Sequence, residues 1–262
     1  MEIIGIIGGS GFYDPSIMTD VQEKVVNTPY GSPSDSLFRG RLGKAEVVFL
    51  PRHGRKHQIP PHMINSRANL WAMREEGVTR IISPSAVGSL DEQVSPGSIV
   101  VPDQFIDMTK KRVYSFYDGP RVAHVSMADP FCPELRRFLE SSAAAGSLKS
   151  KFFGEGVYVC IEGPRFSTRA ESKLWRLVGG RVVGMTLVPE VNLARELGLC
   201  YSTLALVTDY DVWAEKPVTA KEVVETQRRN IENASKLLYS VVPFAAAQRG
   251  CSCSSSLEQA FT

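Results

Sequence analysis

The chain has 262 residues, 43% of them apolar and 22% charged, with a formal net charge of +2. That size and balance suit one large α/β domain with a sizeable core, and they exclude a disordered chain. A near-neutral chain whose longest basic run is Lys110-Lys111-Arg112 lacks the stripe of a dedicated nucleic-acid binder. No 18 consecutive apolar residues occur, so no membrane partner is expected, and no signal-peptide pattern precedes the first strand-like run; the expected location is the cytoplasm.

Residues 2–7 (Glu-Ile-Ile-Gly-Ile-Ile) read as a buried strand, followed by a tight turn at Gly8-Gly9-Ser10-Gly11. The spacing fails a dinucleotide fingerprint, because Asp14 stands where a third glycine is needed, and no P-loop Gly-Lys-Ser/Thr follows. What remains is a glycine turn whose amides and Ser10 hydroxyl suit an anion, or a purely structural turn. Residues 36–42 and 45–50 read as a hairpin around Gly43-Lys44, running into Pro51-Arg52-His53-Gly54-Arg55-Lys56-His57. Arg52 and His53 at a strand end offer a bidentate fork and a further donor for phosphate; the alternative is an exposed basic loop. Asn65 to Glu76 reads as a helix stopped by Gly77, and Val78 to Ser83 as a strand ending in a small-residue turn, Pro84-Ser85-Ala86-Val87-Gly88-Ser89. A short strand is expected at 97–102. Residues 107–131 form a long aromatic-rich loop that holds His124, as either a structural or a functional residue.

Pro133 to Ala145 reads as a helix and Val157 to Ile161 as a strand. Thr168 and Glu171 have capping-box spacing, opening a helix to Val178. Phe166, just before it, suits either stacking on a flat ring or burial in the core. Val182 to Thr186 is an expected strand, and Val188-Pro189-Glu190 opens a helix that ends at Gly198. The apolar run Leu204 to Val207 is a buried strand that terminates in Thr208-Asp209-Tyr210-Asp211. In an extended chain the two carboxylates point the same way, and like charges that close raise one pKa. A protonated carboxyl beside an ionised one could read the N7 and amine edge of an adenine; the plain alternative is a solvated loop. Thr219 and Glu222 form a second capping box before a helix of about twenty residues, striped by Val224, Ile231, Leu238 and Val241. The tail, 248–262, is small and polar. Strands alternate with helices and no repeat or composition shift divides the chain, so the fold class is a single-domain α/β protein with a mixed sheet. The domain would span 1–247, with 248–262 as a cysteine-containing appendage. The cysteines at 132, 160, 200, 251 and 253 show no zinc-ligand spacing and the four histidines do not cluster with them, so no metal is expected. Scarce Asn and Gln hint at heat adaptation.

Six motifs in this order, Gly5-Ile-Ile-Gly-Gly-Ser-Gly11, Pro51-Arg-His-Gly-Arg55, Ser85-Ala-Val-Gly-Ser89, Ile161-Glu-Gly-Pro-Arg-Phe-Ser167, Gly184-Met-Thr-Leu-Val-Pro-Glu190 and Thr208-Asp-Tyr-Asp211, together resemble the 5′-methylthioadenosine phosphorylase branch of the purine nucleoside phosphorylases. The resemblance runs from about residue 3 to 240. It implies a mixed, partly barrel-like sheet flanked by helices and a homo-oligomer, either a trimer or a hexamer. It implies phosphorolysis of methylthioadenosine to adenine and 5-methylthioribose 1-phosphate, with inorganic phosphate as co-substrate and no metal or organic cofactor.

By the same resemblance, phosphate belongs among Ser10, Arg52, His53, Ser85, the amide of Ala86, and Thr186. Met185 lies against the ribose, Phe166 and Ser167 flank the base, and Thr208 leads into the pair, Asp209 at N7 and Asp211 at the 6-amino group. The methylthio pocket takes Val218, Val223 and Val224, with His124 supplied by a neighbouring subunit. Two acidic groups at the 6-position favour aminopurines, since inosine and guanosine phosphorylases resemble one another in having Asn nearby. The disulfide-bearing archaeal members imply Cys132–Cys200 and Cys251–Cys253 bridges, with Cys160 a buried free thiol. The alternatives are a broad purine nucleoside phosphorylase acting on adenosine and inosine, and a non-catalytic nucleoside sensor on the same scaffold.

Overall fold

A computed structural model of the chain describes all residues except 10, 13–14, 147, 215–219, 259 and 262, together with the side chains of 16 and 220–225. In chain order its elements are β1 (Ile3–Gly8), β2 (Thr19–Lys24), β3 (Leu37–Leu42), β4 (Ala45–Pro51), α1 (Ser66–Glu75), β5 (Val78–Ser89), β6 (Ile99–Val100), β7 (Gln104–Met108), α2 (Pro133–Ala145), β8 (Phe152–Phe153), β9 (Val157–Ile161), α3 (Arg169–Leu177), β10 (Gly180–Gly184), α4 (Leu187–Glu196), β11 (Cys200–Asp209) and α5 (Ala220–Ala245), then a short 3-10 helix at Ser252–Ser255.

The strands form one mixed sheet in the order β2-β3-β4-β1-β5-β10-β9-β7, and it forks at β5, where β11 pairs in turn with β6 and through it with β8. The pairings never return to their start, so the partly barrel-like sheet does not close. The fork follows from the length of β5. Its first half pairs parallel to β1, up to Ile82, and its last residues, Gly88 and Ser89, pair antiparallel to β10. Its other edge runs parallel to β11 throughout. On the divided edge, the ladder to β1 stops before the ladder to β10 begins, and a cavity opens there.

Period-two alternation sorts the side chains onto two faces. Ile4, Ile6, Leu204 and Leu206 face one core with Leu135 and Leu139 of α2 and Leu237, Leu238 and Val241 of α5. Ile7, Ala205 and Val207 face the other with Leu70 and Met73 of α1 and Val191 and Leu193 of α4. Each of the larger buried aliphatic side chains contributes about 1.5–3 kcal/mol, so the two faces hold the sheet rigid beneath the loops.

Local chemistry sets the helix ends. The Asn65 side chain accepts from the Ala68 amide at the start of α1, and Gly77 follows with φ of +80°. The Thr168–Glu171 capping box forms in full. The second box falls on Thr219, outside the described residues. Two expectations are corrected, and one strand goes unread in the sequence. The small-residue segment Ser85–Ser89 is strand, not turn, because β11 and β10 supply its ladder partners. β2 lacks an apolar face, all six of its residues being exposed at the sheet edge, and alternation could not reveal it. The expected bridges Cys132–Cys200 and Cys251–Cys253 are not formed, and all five cysteines are free thiols. The reason is convergence: four thiols share one cluster, where Cys200 Sγ lies 3.3 Å from Cys251 Sγ. Among the described residues no helix is long and apolar enough to cross a membrane.

Candidate active site

The cavity in the gap of β5 has a volume of about 400 Å³, the scale of a small-molecule pocket. It gathers the ends of five strands. Of the residues singled out in the sequence, Arg52, His53, Ser85, Ala86, Phe166, Ser167, Met185, Thr186, Thr208, Asp209 and Asp211 all line it. Small residues let the walls approach. A Cβ on Gly88 would come within 2.9 Å of Asp209 Oδ1 and 3.2 Å of Asp211 Cβ, and one on Gly9 within 2.7 Å of Arg52 Nη1. Gly9 therefore brings the glycine turn against Arg52 and the backbone of Ser85.

Arg52 follows β4 and is fully buried. Its Nε and Nη2 donate to the two oxygens of Glu190, Nη2 also to Ile7 O (3.1 Å) and to Ser83 Oγ, and Nη1 to Pro84 O (3.1 Å). Glu190 is itself wholly buried and accepts from Ser83 Oγ (3.0 Å) and Tyr201 OH (2.8 Å). Burial opposes the Arg52 charge, and the adjacent Glu190 charge more than offsets it, holding the guanidinium ionised. The bidentate fork anticipated for an anion is thus mostly closed on a carboxylate. Among the described contacts, one Nη1 hydrogen remains to face the cavity.

His53 Nδ1 lies 2.8 Å from Ile59 O, and a carbonyl only accepts, so Nδ1 carries the proton. Burial and then the Arg52 charge lower its pKa to about 4, keeping the ring neutral at pH 7 with Nε2 as an acceptor. The His57 ring stacks on it at 5.0 Å between centroids. Ser85 and Thr186 hydroxyls meet at 3.0 Å, a contact that uses one of their two protons. Tyr158 OH stands 3.5 Å from Ser85 Oγ behind them.

At the other end, β11 stops at Asp209 and the chain turns sharply, with Asp211 at φ +50°. Asp209 Oδ1 accepts from the Asp211 amide at 2.8 Å, and Oδ2 accepts from Thr208 Oγ1 at 2.6 Å. Asp211 is buried, and its Oδ2 has no hydrogen-bond partner among the described residues. Burial pushes its carboxyl above the usual range, against the nearby Ser172 hydroxyl and Val212 amide. One carboxyl of the pair is raised, as the sequence suggested, but desolvation is the cause rather than its neighbour's charge. Phe166 is 47% exposed, free to lie against a flat ring, while Ser167 is buried and accepts from Trp175 Nε1 at 3.3 Å.

Ser10, Val218 and the side chains of Val223 and Val224 lie outside the described residues. His124 is exposed and does not line its own chain's cavity. Two residues escaped the sequence reading. Glu190 stood only within a motif, with no sign of its partner. Arg112 looked like part of a basic run; its side chain is in fact buried and donates to Glu162 O (2.7 Å), Met185 O (3.0 Å), Pro61 O (3.1 Å) and Val188 O (3.2 Å). It ties together the backbone behind Pro61 and Met185, two residues of the cavity wall. A lone arginine carries no sequence signal for such a role.

Residues 3–243 match the phosphorylase superfamily. An S-methyl-5′-thioadenosine phosphorylase from Thermofilum pendens is 56% identical over 257 residues, covering 98% of this chain and 97% of that one. A methylthioadenosine phosphorylase from Schistosoma mansoni, solved with adenine, superposes with a TM-score of 0.92 at 41% identity, covering 95% and 93%. A point mutant of an adenosine/methylthioadenosine phosphorylase from the same organism, solved with methylthioadenosine, gives a TM-score of 0.89 at 40% identity, covering 95% and 93%. Matches of that breadth and identity make this chain a member of the phosphorylase superfamily.

Proposed function

We propose that the chain catalyses phosphorolysis of 5′-methylthioadenosine, giving adenine and 5-methylthioribose 1-phosphate. The observation that carries this reading is the single cavity that brings Asp209 and Asp211 together with Arg52, His53, Ser85 and Thr186. Phosphate would sit at the Arg52 end. The Ala86 amide, the free hydroxyl proton of the Ser85–Thr186 pair and the remaining Arg52 Nη1 hydrogen would donate to it, with Ser10 completing the shell from the glycine turn. A neutral His53 would accept the P–OH hydrogen at Nε2, which directs the unprotonated oxygens toward the sugar. Phosphate is then the nucleophile, held for attack as the bond to N9 lengthens, and its charge balances the developing ribosyl cation. No metal or organic cofactor is needed for that step.

Negative charge builds on the purine as the N9 bond breaks. A donor at N7 therefore gains strength in the transition state. Asp209 would hold N7 and Asp211 the 6-amino group, with one proton for the two carboxyls. Burial at Asp211 raises its carboxyl and favours the neutral form there, which supports a pair that shares a proton. Phe166 would cover the base and Met185 the ribose. Val218, Val223 and Val224 would form the methylthio pocket.

The domain would span 1–247, with 248–262 appended. We further propose a trimer or hexamer in the cytoplasm. The exposure of His124 away from its own cavity supports a role in a neighbouring copy's site.

The test follows free base from methylthioadenosine, adenosine and inosine, with and without phosphate. Phosphate-dependent adenine release, fastest from methylthioadenosine, is expected. Equal rates on inosine would make this a broad purine nucleoside phosphorylase, and tight nucleoside binding without turnover would make it a sensor.

A further inference from the structure

Three neighbouring strands of the sheet end together. β10, β9 and β7 run parallel to one another; the β10–β9 ladder stops at Gly184 and Cys160, and the β7–β9 ladder stops at Met108 and Ile161. Past those ends the sheet supplies no ladder partner for the carbonyls of Glu162 and Met185, and buried carbonyls need one. The same ends lead into the cavity wall. Pro164, Phe166 and Ser167 follow β9, and Met185 and Thr186 follow β10.

Arg112, four residues beyond the end of β7, takes the place of the missing ladder. Its side chain is 4% exposed and does not line the cavity. A guanidinium has five N–H donors, and here all five are used. Nε donates to Glu162 Oε1 at 2.9 Å, Nη2 to Glu162 O and Met185 O, and Nη1 to Pro61 O and Val188 O. One nitrogen thus joins the chain leaving β9 to the chain leaving β10, at the span of a single planar group. The root of this clamp is fixed as well, because the Glu162 carboxylate accepts from the Lys110 and Lys111 amides. Against burial, those amides and the Arg112 charge hold the Glu162 carboxyl below its usual range.

In the phosphorylase reading, the β9 side covers the base and the β10 side meets ribose and phosphate. Phosphate joins the sugar as the base leaves, so the rate depends on how the two sides are spaced and not only on how tightly each holds its ligand. We propose, on the basis of that reading, that Arg112 is a positioning residue for phosphorolysis, setting the spacing between the base-covering wall and the sugar–phosphate wall without touching either ligand. The planar fork matters more than the charge. A lysine ammonium is a point donor with three hydrogens and cannot span the same carbonyls.

The test compares Arg112→Lys, Arg112→Met and Glu162→Gln with the parent, each assayed well below its own melting temperature. Both Arg112 variants should lower kcat for adenine release from methylthioadenosine by roughly 10–100-fold, the scale of a misplacement of about 1 Å. The dissociation constants of adenine alone and of phosphate alone should stay within about threefold of the parent's, a split that loss of folded protein does not produce. Glu162→Gln leaves the four carbonyl contacts in place. It should melt at a lower temperature, having lost a buried charge partner, yet keep kcat within about threefold. If Arg112→Met does not fold, Arg112→Lys, which keeps a charge beside Glu162, decides alone. The proposal is overturned if the folded Arg112 variants turn over within about threefold of the parent, if adenine or phosphate binding weakens as much as kcat falls, or if Glu162→Gln loses kcat as they do. A parent that releases no adenine with phosphate would instead overturn the phosphorylase reading, and this inference with it.

Discussion

The two ends of the cavity are built by opposite rules. At the Arg52 end, charge meets charge: guanidinium and Glu190 carboxylate neutralise each other, and Ser83, Tyr201 and two backbone carbonyls take up most of the remaining valences. At the Asp211 end, a carboxyl is buried with one oxygen unpartnered among the described residues and sits on a left-handed turn. A saturated network fixes position and resists change. An unsaturated one retains a demand that a ligand can meet. On the proposed reading, the first end would place the phosphate, and the second would answer the charge that builds on the purine.

The largest effect expected from breaking this contrast is on the saturated side. Glu190→Gln keeps the shape but leaves the fully buried Arg52 charge without its counterion. Removing one partner of a buried pair costs about 3–5 kcal/mol. Denaturant unfolding should show a loss of that size, and a loss below about 1 kcal/mol would mean that other groups carry the compensation.

On the unsaturated side the loss should fall on rate rather than on folding. Asp209→Asn and Asp211→Asn should each lower kcat by roughly 10²–10³-fold on methylthioadenosine, the cost of a contact made stronger in the transition state. Stability should hold or rise for Asp211→Asn, because a neutral amide replaces a carboxyl whose charged form burial disfavours. Near-full turnover in both variants would remove the pair from the mechanism.

The contrast also marks what the sequence made legible. Alternating apolar residues announced β1, β4 and β11, and glycine and capping residues bounded α1 and α3, because these signals are local. Eleven of the proposed contact residues reached one cavity because the motifs sit at strand ends, where an α/β sheet gathers its loops. What stayed hidden is non-local. The Arg52–Glu190 pair spans 138 positions, and nothing near either residue specifies the other. The turn composition of Ser85–Ser89 concealed a strand, since its partners β10 and β11 lie more than ninety residues away. The four-cysteine cluster likewise depends on where three segments end.

His53 sharpens the comparison through pH. Its folded pKa of about 4 lies below the ordinary 6.5, so the unfolded chain binds the proton more strongly over that interval. Stability is therefore present above about pH 6.5 and is lost as pH falls toward 4, by up to about 3 kcal/mol at about 1.4 kcal/mol per unit. His53→Asn should remove this component of the pH dependence while leaving that of the acidic end. An unchanged profile would show that the ring does not stay neutral in the folded chain.

Ser85→Ala probes the smallest step, within the anchoring end itself. The hydroxyl contributes one neutral hydrogen bond to Thr186 at 3.0 Å, and such bonds are worth about 0.5–1.5 kcal/mol net. Whichever hydroxyl donates in that pair, Thr186 keeps a proton for phosphate once Ser85 is gone, which offsets part of the donor removed. The expected result is a rise of roughly tenfold or less in the KM for phosphate, with kcat nearly unchanged, because the contact is made alike in the ground and transition states. A fall in kcat of the size expected for Asp209 would mean that this hydroxyl tightens on the phosphate as it attacks. In that case the division between a placing end and a reacting end would fail at Ser85.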